Sequence, residues 1–161
     1  MALTIRKGIK SDLPRLRELI VELAIYEKEP DAVEVTIEEL EIDGFGLNSI
    51  FDFFVAEKEG IVEGIALYYF KYSTWKGKCL FLEDIVVNEK LRGLGIGKLL
   101  FDEVVKVAAH HNCKRMEWQV LEWNTPAINF YKKKYNAELD PEWLNGRLVG
   151  DKIQKIAQDL F

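Results

Sequence analysis

The spacing of apolar residues changes near the start of the chain from an alternating pattern to a helical one. Residues 3–6 alternate apolar and polar side chains, which predicts a short strand. Apolar side chains then recur three and four residues apart, which predicts a helix. Ser11 precedes this helix as its expected cap, and Pro14 falls in the first turn, where proline is tolerated. The apolar stripe consists of Leu13, Leu16, Leu19, Ile20 and Leu23.

A shorter helix is predicted after Thr36. Thr36 is followed three residues later by Glu39, the spacing of a capping box at a helix N-terminus. The glycines at positions 44 and 46 predict that this helix ends before residue 43.

The middle of the chain changes to a strand pattern. Residues 51–58, 61–72 and 78–87 are rich in β-branched and aromatic side chains, and turn residues separate the three runs. These runs predict an antiparallel meander.

The last third of the chain alternates between helical and strand patterns. A glycine-rich turn at 92–97 leads into a helix, and we expect a strand over 115–121 and a helix over 124–134. Beyond residue 139 we expect one or two short strands and a terminal helix around 153–160. The predicted apolar stripe after the glycine turn is Ile96, Leu99, Leu100, Val104, Val107 and Ala108. The whole pattern predicts one α/β domain over residues 1–161, with a mixed, mostly antiparallel central sheet flanked by helices.

Composition narrows the classes of ligand. The hydrophobic content of 48% is sufficient for a packed core, and the formal net charge is -5. A mildly acidic chain without a basic stripe is a poor binder of phosphate backbones, so no nucleic acid partner is expected. The charge suits a cationic ligand, although it also simply favours solubility. No apolar run approaches the ~18 residues of a membrane span, and we expect a cytoplasmic protein.

No metal site is expected from the cysteines and histidines. Cys79 and Cys113 lie too far apart in sequence for a zinc cluster. His110 and His111 are adjacent, so they do not share one helix face as metal ligands four residues apart would.

The glycine turn presents backbone N–H groups at the start of a helix. Gly93, Gly95 and Gly97 occupy alternate positions, and Arg92 adds a fixed cation beside them. Backbone N–H groups and the helix dipole together favour an anion, and a pyrophosphate is the natural ligand. The alternative is that the glycines form only a tight connection.

Two nucleotide-binding motifs fail at this turn. The Walker pattern requires glycine where Arg92 stands and serine or threonine where Leu99 stands. The dinucleotide fingerprint requires a third glycine, but Lys98 and Leu100 occupy its possible positions.

The remaining pattern, R-x-x-G-x-G, resembles the pyrophosphate loop of the GNAT superfamily of N-acetyltransferases. Arg92, Gly95 and Gly97 match it, and the likeness is greater to the branch of spermidine/spermine and thialysine N-acetyltransferases. The supporting segments are 22–28, 43–46, 68–70, 82–84, 122–124 and 129–132. The resemblance implies a GNAT-like single domain that uses acetyl-CoA as co-substrate and forms a homodimer.

The resemblance also implies which residues bind acetyl-CoA. The backbone of the strand before the glycine turn would hold the pantetheine arm, with the N–H of Ile85 facing the acetyl oxygen. Asn124, at the start of the later helix, would hydrogen-bond the same arm, although it is also an ordinary helix cap. The implied cofactor-binding set is Ile85, Val86, Val87, Arg92, Gly93, Leu94, Gly95, Ile96, Gly97, Lys98, Asn124 and Ala127.

Two residues match the family's catalytic groups. Tyr131 corresponds to the general acid that protonates the departing thiolate, whereas helical periodicity alone would make it a core or interface residue. Glu83 corresponds to a substrate ligand and candidate base, with a structural salt bridge as the alternative. Glu83 and Asp84 are expected on opposite faces of their strand, so that only one faces the substrate directly.

The amine-binding residues implied by the resemblance come from several elements. The set is Tyr26, Glu27, Glu83, Asp84 and, more weakly, Glu117, Trp118 and Gln119, with Trp75 as a candidate pocket wall. Two departures from the family are visible. No glycine follows Tyr131 closely, so Asn136 is expected to take the left-handed helix cap, and Asn145-Gly146 precede Arg147 where polyamine enzymes carry an acid and a tryptophan. The second departure argues against polyamine specificity more than against acetyl transfer.

The resulting hypothesis is a small-amine N-acetyltransferase that works by direct transfer in a ternary complex. Thialysine-like or lysine-like amino acids rank slightly ahead of polyamines as substrates. The alternatives are a protein N-terminal or lysine acetyltransferase and a non-catalytic module that binds acetyl-CoA.

Overall fold

The computed structural model describes residues 2–160, and these residues form two compact units. The first unit ends at Leu121 and the second begins at Glu122. None of the helices within residues 2–160 has the length and apolar character that crossing a membrane requires.

The first unit is built around one five-stranded sheet whose strands follow chain order. Neighbouring strands from β1 to β4 are antiparallel, while β5 runs parallel to β4. The strands are β1 (Leu3–Lys7), β2 (Asp52–Lys58), β3 (Ile61–Ser73), β4 (Gly77–Val87) and β5 (Arg115–Glu117). The predicted meander and the mixed, mostly antiparallel sheet are confirmed.

Strand β5 is shorter than the predicted strand over 115–121. It pairs with β4 only from Cys79 to Phe81, and an irregularity in β4 begins at Glu83, two residues further on. Such irregularities bend a strand and end its pairing, which explains why β5 stops at Glu117.

Helix α1 (Leu13–Tyr26) begins after a short 3₁₀ turn, and the prediction that Ser11 caps it is wrong. Ser11 lies inside that turn, which Asp12 fixes instead. The Asp12 carboxylate accepts a hydrogen bond from the backbone N–H of Ile9 at 2.8 Å and pairs with Arg6 at 2.8 Å. Pro14 stands in the first turn of α1, as predicted.

Helix α2 (Ile37–Phe45) begins with the predicted capping box. Thr36 Oγ1 accepts from the N–H of Glu39 at 3.1 Å, and the Glu39 carboxylate accepts from the N–H of Thr36 at 3.0 Å. The helix continues to Phe45, so the prediction of an end before residue 43 is wrong. Gly44 is needed within it because the Phe51 ring lies so close that a Cβ would be 2.5 Å away.

Helices pack on both faces of the sheet. On one face, α1 and α2 form a core with β2, β3 and β4 that contains Leu13, Leu16, Leu19, Leu40, Val55, Ile65, Leu67 and Val86. On the other face, α3 (Ile96–His110) approaches Gly64 so closely that a Cβ there would be 3.1 Å from Leu100. Contrary to the prediction, Leu99 is 44% exposed, whereas Phe101 is buried. Phe101 is covered because the Trp118 ring packs edge-on against it at 5.3 Å.

The second unit contains α4 (Thr125–Tyr135) and α5 (Gly150–Asp159). Asn136 has φ 52° and caps α4 in the left-handed conformation, as predicted. The short strands predicted after residue 139 are absent from the described residues of this unit. Within residues 122–160 there is no strand for such a segment to pair with, and an extended segment without a partner gains no ladder hydrogen bonds.

Candidate active site

The glycine turn leaves open space at the start of α3. Gly95 caps the helix with φ 83° and Gly93 has φ 81°, conformations that favour glycine. A Cβ at either position would meet no atom within 4 Å. Because the first N–H groups of a helix have no acceptor within it, this space suits an anion such as pyrophosphate.

Arg92 connects this turn to two other elements. Its Nε donates a hydrogen bond to the carbonyl of Val87, the last residue of β4, at 3.3 Å. Its guanidinium carbon lies 5.0 Å from the centre of the Tyr26 ring, at the end of α1. The strand end, the glycine turn and the α1 end therefore meet at one residue.

The last residues of β4 have an open backbone edge. Ile85, Val86 and Val87 pair with β3 on one side. Within the described residues, β5 pairs with β4 no further than Phe81, so these three residues have no strand neighbour on the other side. Alternate backbone groups along that edge are placed to hydrogen-bond an extended ligand.

A β-bulge interrupts β4 at Glu83. Leu67 of β3 pairs with Asp84, while the next residue, Tyr68, pairs with Leu82. Glu83 is therefore the extra residue and has no cross-strand partner.

The bulge brings both acidic side chains to one face of the sheet. Cross-strand partners share a face, so Asp84 lies on the face of its partner Leu67. Glu83 follows Phe81 by two residues, and Phe81 pairs with Tyr69, which shares the face of Leu67. The expectation that Glu83 and Asp84 lie on opposite faces is wrong because it assumed unbroken alternation.

We call the face of the sheet that carries Glu83 and Asp84 the acidic face, and several ionisable groups lie on it. Tyr69 Oη donates a hydrogen bond to the Glu83 carboxylate at 2.8 Å. Burial, this bond and the nearby negative charges of Glu83 and Asp84 raise the pKa of Tyr69 to about 12. Burial, followed by the charges of Glu83 and Glu27, raises the pKa of Asp84 to about 6.

Glu27 reaches this face from the end of α1. It caps the helix directly after Tyr26, and burial raises the pKa of its carboxyl group. The carboxylates of Glu27 and Glu83 thus lie close enough to Asp84 for their charges to raise its pKa. Clustered carboxylates in a partly dry surface attract a cation.

The candidates on and after β5 divide between the two sides of the sheet. Glu117 pairs with Phe81 and shares the acidic face, but it bonds to Lys71 at 2.9 Å and Arg115 at 3.0 Å. Burial tends to raise the pKa of Glu117, and these two cations more than offset it, leaving the pKa below its ordinary value. Trp118 packs on α3, away from the acidic face, and Gln119 is an exposed residue beyond the end of β5.

Asn124 and Tyr131 lie on α4 in the second unit. Asn124 Oδ1 accepts a hydrogen bond from the backbone N–H of Ala127 at 3.4 Å, so it serves as the helix cap. Tyr131, two turns later, is 6% exposed and has Phe130 edge-on at 5.3 Å. Their roles toward acetyl-CoA stay predictions.

Trp75 lies away from the bulge. It is 78% exposed in the turn between β3 and β4. That turn begins after Ser73, about 20 Å along β3 from Leu67 at the usual strand rise. The structure therefore does not bring Trp75 to the acidic face.

Tyr69 is a residue of the acidic face that the sequence interpretation missed. Its register with β4 depends on the turn after Ser73, and its contact with Glu83 depends on the bulge. Its sequence signal is the segment 68–70, which supports the resemblance but gives Tyr69 no role.

Comparisons with known proteins find relatives that match most of this chain. Thialysine N-epsilon-acetyltransferase of Mus musculus is 37% identical over 163 residues, covering 95% of this chain and 96% of that protein. Spermidine/spermine N(1)-acetyltransferase-like protein 1 of Homo sapiens is 37% identical over 86% of this chain, although the match spans only 21% of that longer protein.

Solved structures share the fold. An integron cassette protein of V. cholerae superimposes with a TM-score of 0.78 and 26% identity, covering 98% of this chain and 99% of that one. An aminoglycoside N-acetyltransferase in complex with CoA gives a TM-score of 0.73 at 20% identity over 91% of this chain and 95% of that chain. The model of the acetyltransferase (GNAT) family matches residues 13–136. The protein therefore belongs to the GNAT family of acetyltransferases, in the branch that contains the thialysine and spermidine/spermine enzymes.

Proposed function

We propose that the protein transfers an acetyl group from acetyl-CoA to the primary amine of a small cationic molecule. The observation that carries this proposal is the β4 bulge, because it groups Glu83 and Asp84 with Glu27 on one face. The open glycine turn follows the same strand, so an anion site and a cation site belong to neighbouring parts of one unit.

Acetyl transfer to an amine requires a neutral nucleophile, a polarised thioester carbonyl and a proton for the departing thiolate. In this proposal, the carboxylates bind the ammonium form, and Glu83 accepts its proton directly or through water. A backbone N–H of β4, most simply that of Ile85, polarises the carbonyl. Tyr131 donates the proton to the thiolate, and both substrates are bound at the same time.

Acetyl-CoA is bound in this proposal by backbone groups more than by side chains. The open edge of β4 holds the pantetheine arm, and the N–H groups from Gly93 to Lys98 hold the pyrophosphate. Arg92 adds a positive charge, and Asn124 and Ala127 contribute from α4. A solved structure of the same fold contains CoA, which supports acetyl-CoA as the co-substrate.

A thialysine-like or lysine-like amino acid is the favoured substrate. The name of the mouse relative, which covers nearly the whole chain, supports this choice. Polyamines are the second candidate because the human relative is named for them. They rank second because the chain departs from the pattern of polyamine enzymes at the segment Trp143, Asn145, Gly146 and Arg147.

We further propose a cytoplasmic homodimer built from one domain. The family model spans residues 13–136 and so crosses the boundary between the two units, which supports a single domain. The exposed side chains of Ile153 and Ile156 on α5, 47% and 43% accessible, suit burial against a partner.

One assay tests the proposed function. The purified protein is given acetyl-CoA with thialysine, lysine, ornithine, spermidine or spermine, and released CoA is measured. We expect the highest kcat/KM with thialysine or lysine. Turnover of peptides but of none of these amines would instead identify a protein acetyltransferase. CoA binding without turnover of any amine or peptide would identify a non-catalytic module.

A further inference from the structure

Tyr69 makes a direct hydrogen bond to the bulged residue of β4. Its Oη lies 2.8 Å from Glu83 Oε2, and within residues 2–160 no other hydrogen bond to this carboxylate is present. A bulged residue lacks a cross-strand neighbour, so nothing on β3 directly opposite limits the rotamers of Glu83. The long, exposed Glu83 side chain therefore depends on Tyr69 for its position.

The Tyr69 ring is itself held in place. It packs against the Phe81 ring with centroids 5.5 Å apart, and Tyr69 and Phe81 are cross-strand partners. An aromatic side chain has two rotatable bonds where a glutamate has three, so the ring loses less freedom on being fixed. Tyr69 thus provides a rigid donor for a flexible acceptor.

The Tyr69 hydroxyl keeps its proton over the whole working range of pH. Burial, the hydrogen bond to Glu83 and the neighbouring charges raise its pKa to about 12, so the group remains a hydrogen-bond donor at neutral pH. The bond uses Oε2 of Glu83 and leaves Oε1 available to an amine.

From this geometry we infer that Tyr69 is a positioning residue that fixes the Glu83 carboxylate for the amine. The inference rests on the proposed function, in which Glu83 binds and deprotonates the substrate. Tyr69 does not itself touch the reacting atoms, and its effect passes entirely through Glu83.

The test compares Tyr69→Phe with Tyr68→Phe as a matched control. Tyr68 is the next residue on β3, but it lies on the opposite face, where its ring stacks on Phe54 at 5.8 Å. Tyr69→Phe should lower kcat/KM for the amine about 10- to 100-fold, the range for a lost hydrogen bond to a charged group. CoA affinity should not change, and Tyr68→Phe should retain the wild-type kcat/KM.

A double-mutant cycle separates positioning from a general loss of structure. In the Glu83→Gln background, adding Tyr69→Phe should reduce kcat/KM by less than threefold, because the carboxylate it positions is already gone. An equal loss in both backgrounds would overturn the inference, as would wild-type kinetics for Tyr69→Phe in an enzyme that Glu83→Gln impairs.

Crystal structures of the wild type and of Tyr69→Phe give a readout that does not require activity. We expect one Glu83 rotamer bonded to Tyr69 in the wild type, and several rotamers or weak side-chain density in the variant. An unchanged single Glu83 position would overturn the inference even if no amine were acetylated. Absence of turnover by the wild type alone would contradict the proposed function instead.

Discussion

The guanidinium of Arg92 lies over the ring of Tyr26, with its carbon 5.0 Å from the ring centre. This contact joins the glycine turn to the end of α1, where Glu27 belongs to the acidic face. Such a contact contributes about 0.5–1 kcal/mol at an exposed site. It therefore couples the proposed cofactor site and amine site modestly.

Tyr26→Leu should weaken binding of acetyl-CoA and of the amine together, each about two- to fivefold, because Arg92 loses its stacking partner. Tyr26→Phe is the matched control: it keeps the ring and should leave CoA affinity unchanged. Calorimetry with CoA and steady-state kinetics with the amine measure both effects. An unchanged CoA affinity in Tyr26→Leu would contradict the coupling.

Gly95→Val should abolish CoA binding in a folded protein. The new side chain would enter the open space at the start of α3 where the phosphates are proposed to bind. Gly60→Val is a close control, since Gly60 has φ 79° and open space around it but lies in the turn between β2 and β3. Both variants carry similar backbone strain, and only the first should lose CoA affinity in calorimetry.

Tyr131→Phe should lower kcat roughly 10- to 1000-fold, because the ring remains while the proton donor is lost. CoA affinity should stay unchanged. Tyr135→Phe, one turn further along α4, serves as the control and should retain activity. An undiminished kcat in Tyr131→Phe would remove this residue from the mechanism.

Asp84→Asn should stabilise the free protein at neutral pH. The folded state raises the pKa of Asp84 from 3.8 to about 6, so it binds the proton more tightly than the unfolded chain does. The resulting contribution of Asp84 to the free energy of unfolding is fully present below pH 3.8 and is lost as pH rises through about 6. At neutral pH, burial of the Asp84 charge beside Glu83 and Glu27 costs on the order of 1–3 kcal/mol.

Urea unfolding between pH 3.5 and 7.5 (roughly the range over which such a carboxyl titrates) checks this prediction. The stability gain of Asp84→Asn over the wild type should grow with pH across this range, and amine affinity should fall. Asp31→Asn, at an exposed position before α2, is the control and should show no such trend. A constant difference for Asp84→Asn would contradict the stated cause.

The features that could be predicted from the sequence are those that depend on residues close together along the chain. The capping box at Thr36, the three central strands and the left-handed Asn136 each follow from local propensity. The glycine turn is also predictable, because Gly93 and Gly95 directly precede a segment with the apolar spacing of a helix. The predicted cap at Ser11 fails because the next residue, Asp12, accepts a hydrogen bond from the backbone N–H of Ile9 and pairs with Arg6.

The acidic face itself could be predicted only in part. The resemblance selected Glu27, Glu83 and Asp84, but strict alternation placed the last two on opposite faces. The bulge depends on how β3 and β4 pair over their whole length, which no spacing within β4 reveals. Tyr131 was selected by the resemblance alone, since nothing in its helical position distinguishes it from a core residue.

Glu83→Gln gives the most direct test of the central claim that the acidic face binds and deprotonates a cationic amine. The change keeps the shape and an acceptor for Tyr69 but removes the charge and the proton acceptor. Steady-state kinetics as a function of pH should show a higher KM for the amine and a lower kcat at neutral pH. Partial recovery of kcat is expected at alkaline pH, where solvent takes the proton. A change in KM alone would leave Glu83 a binding group without a role as base, and unchanged KM and kcat would contradict the account.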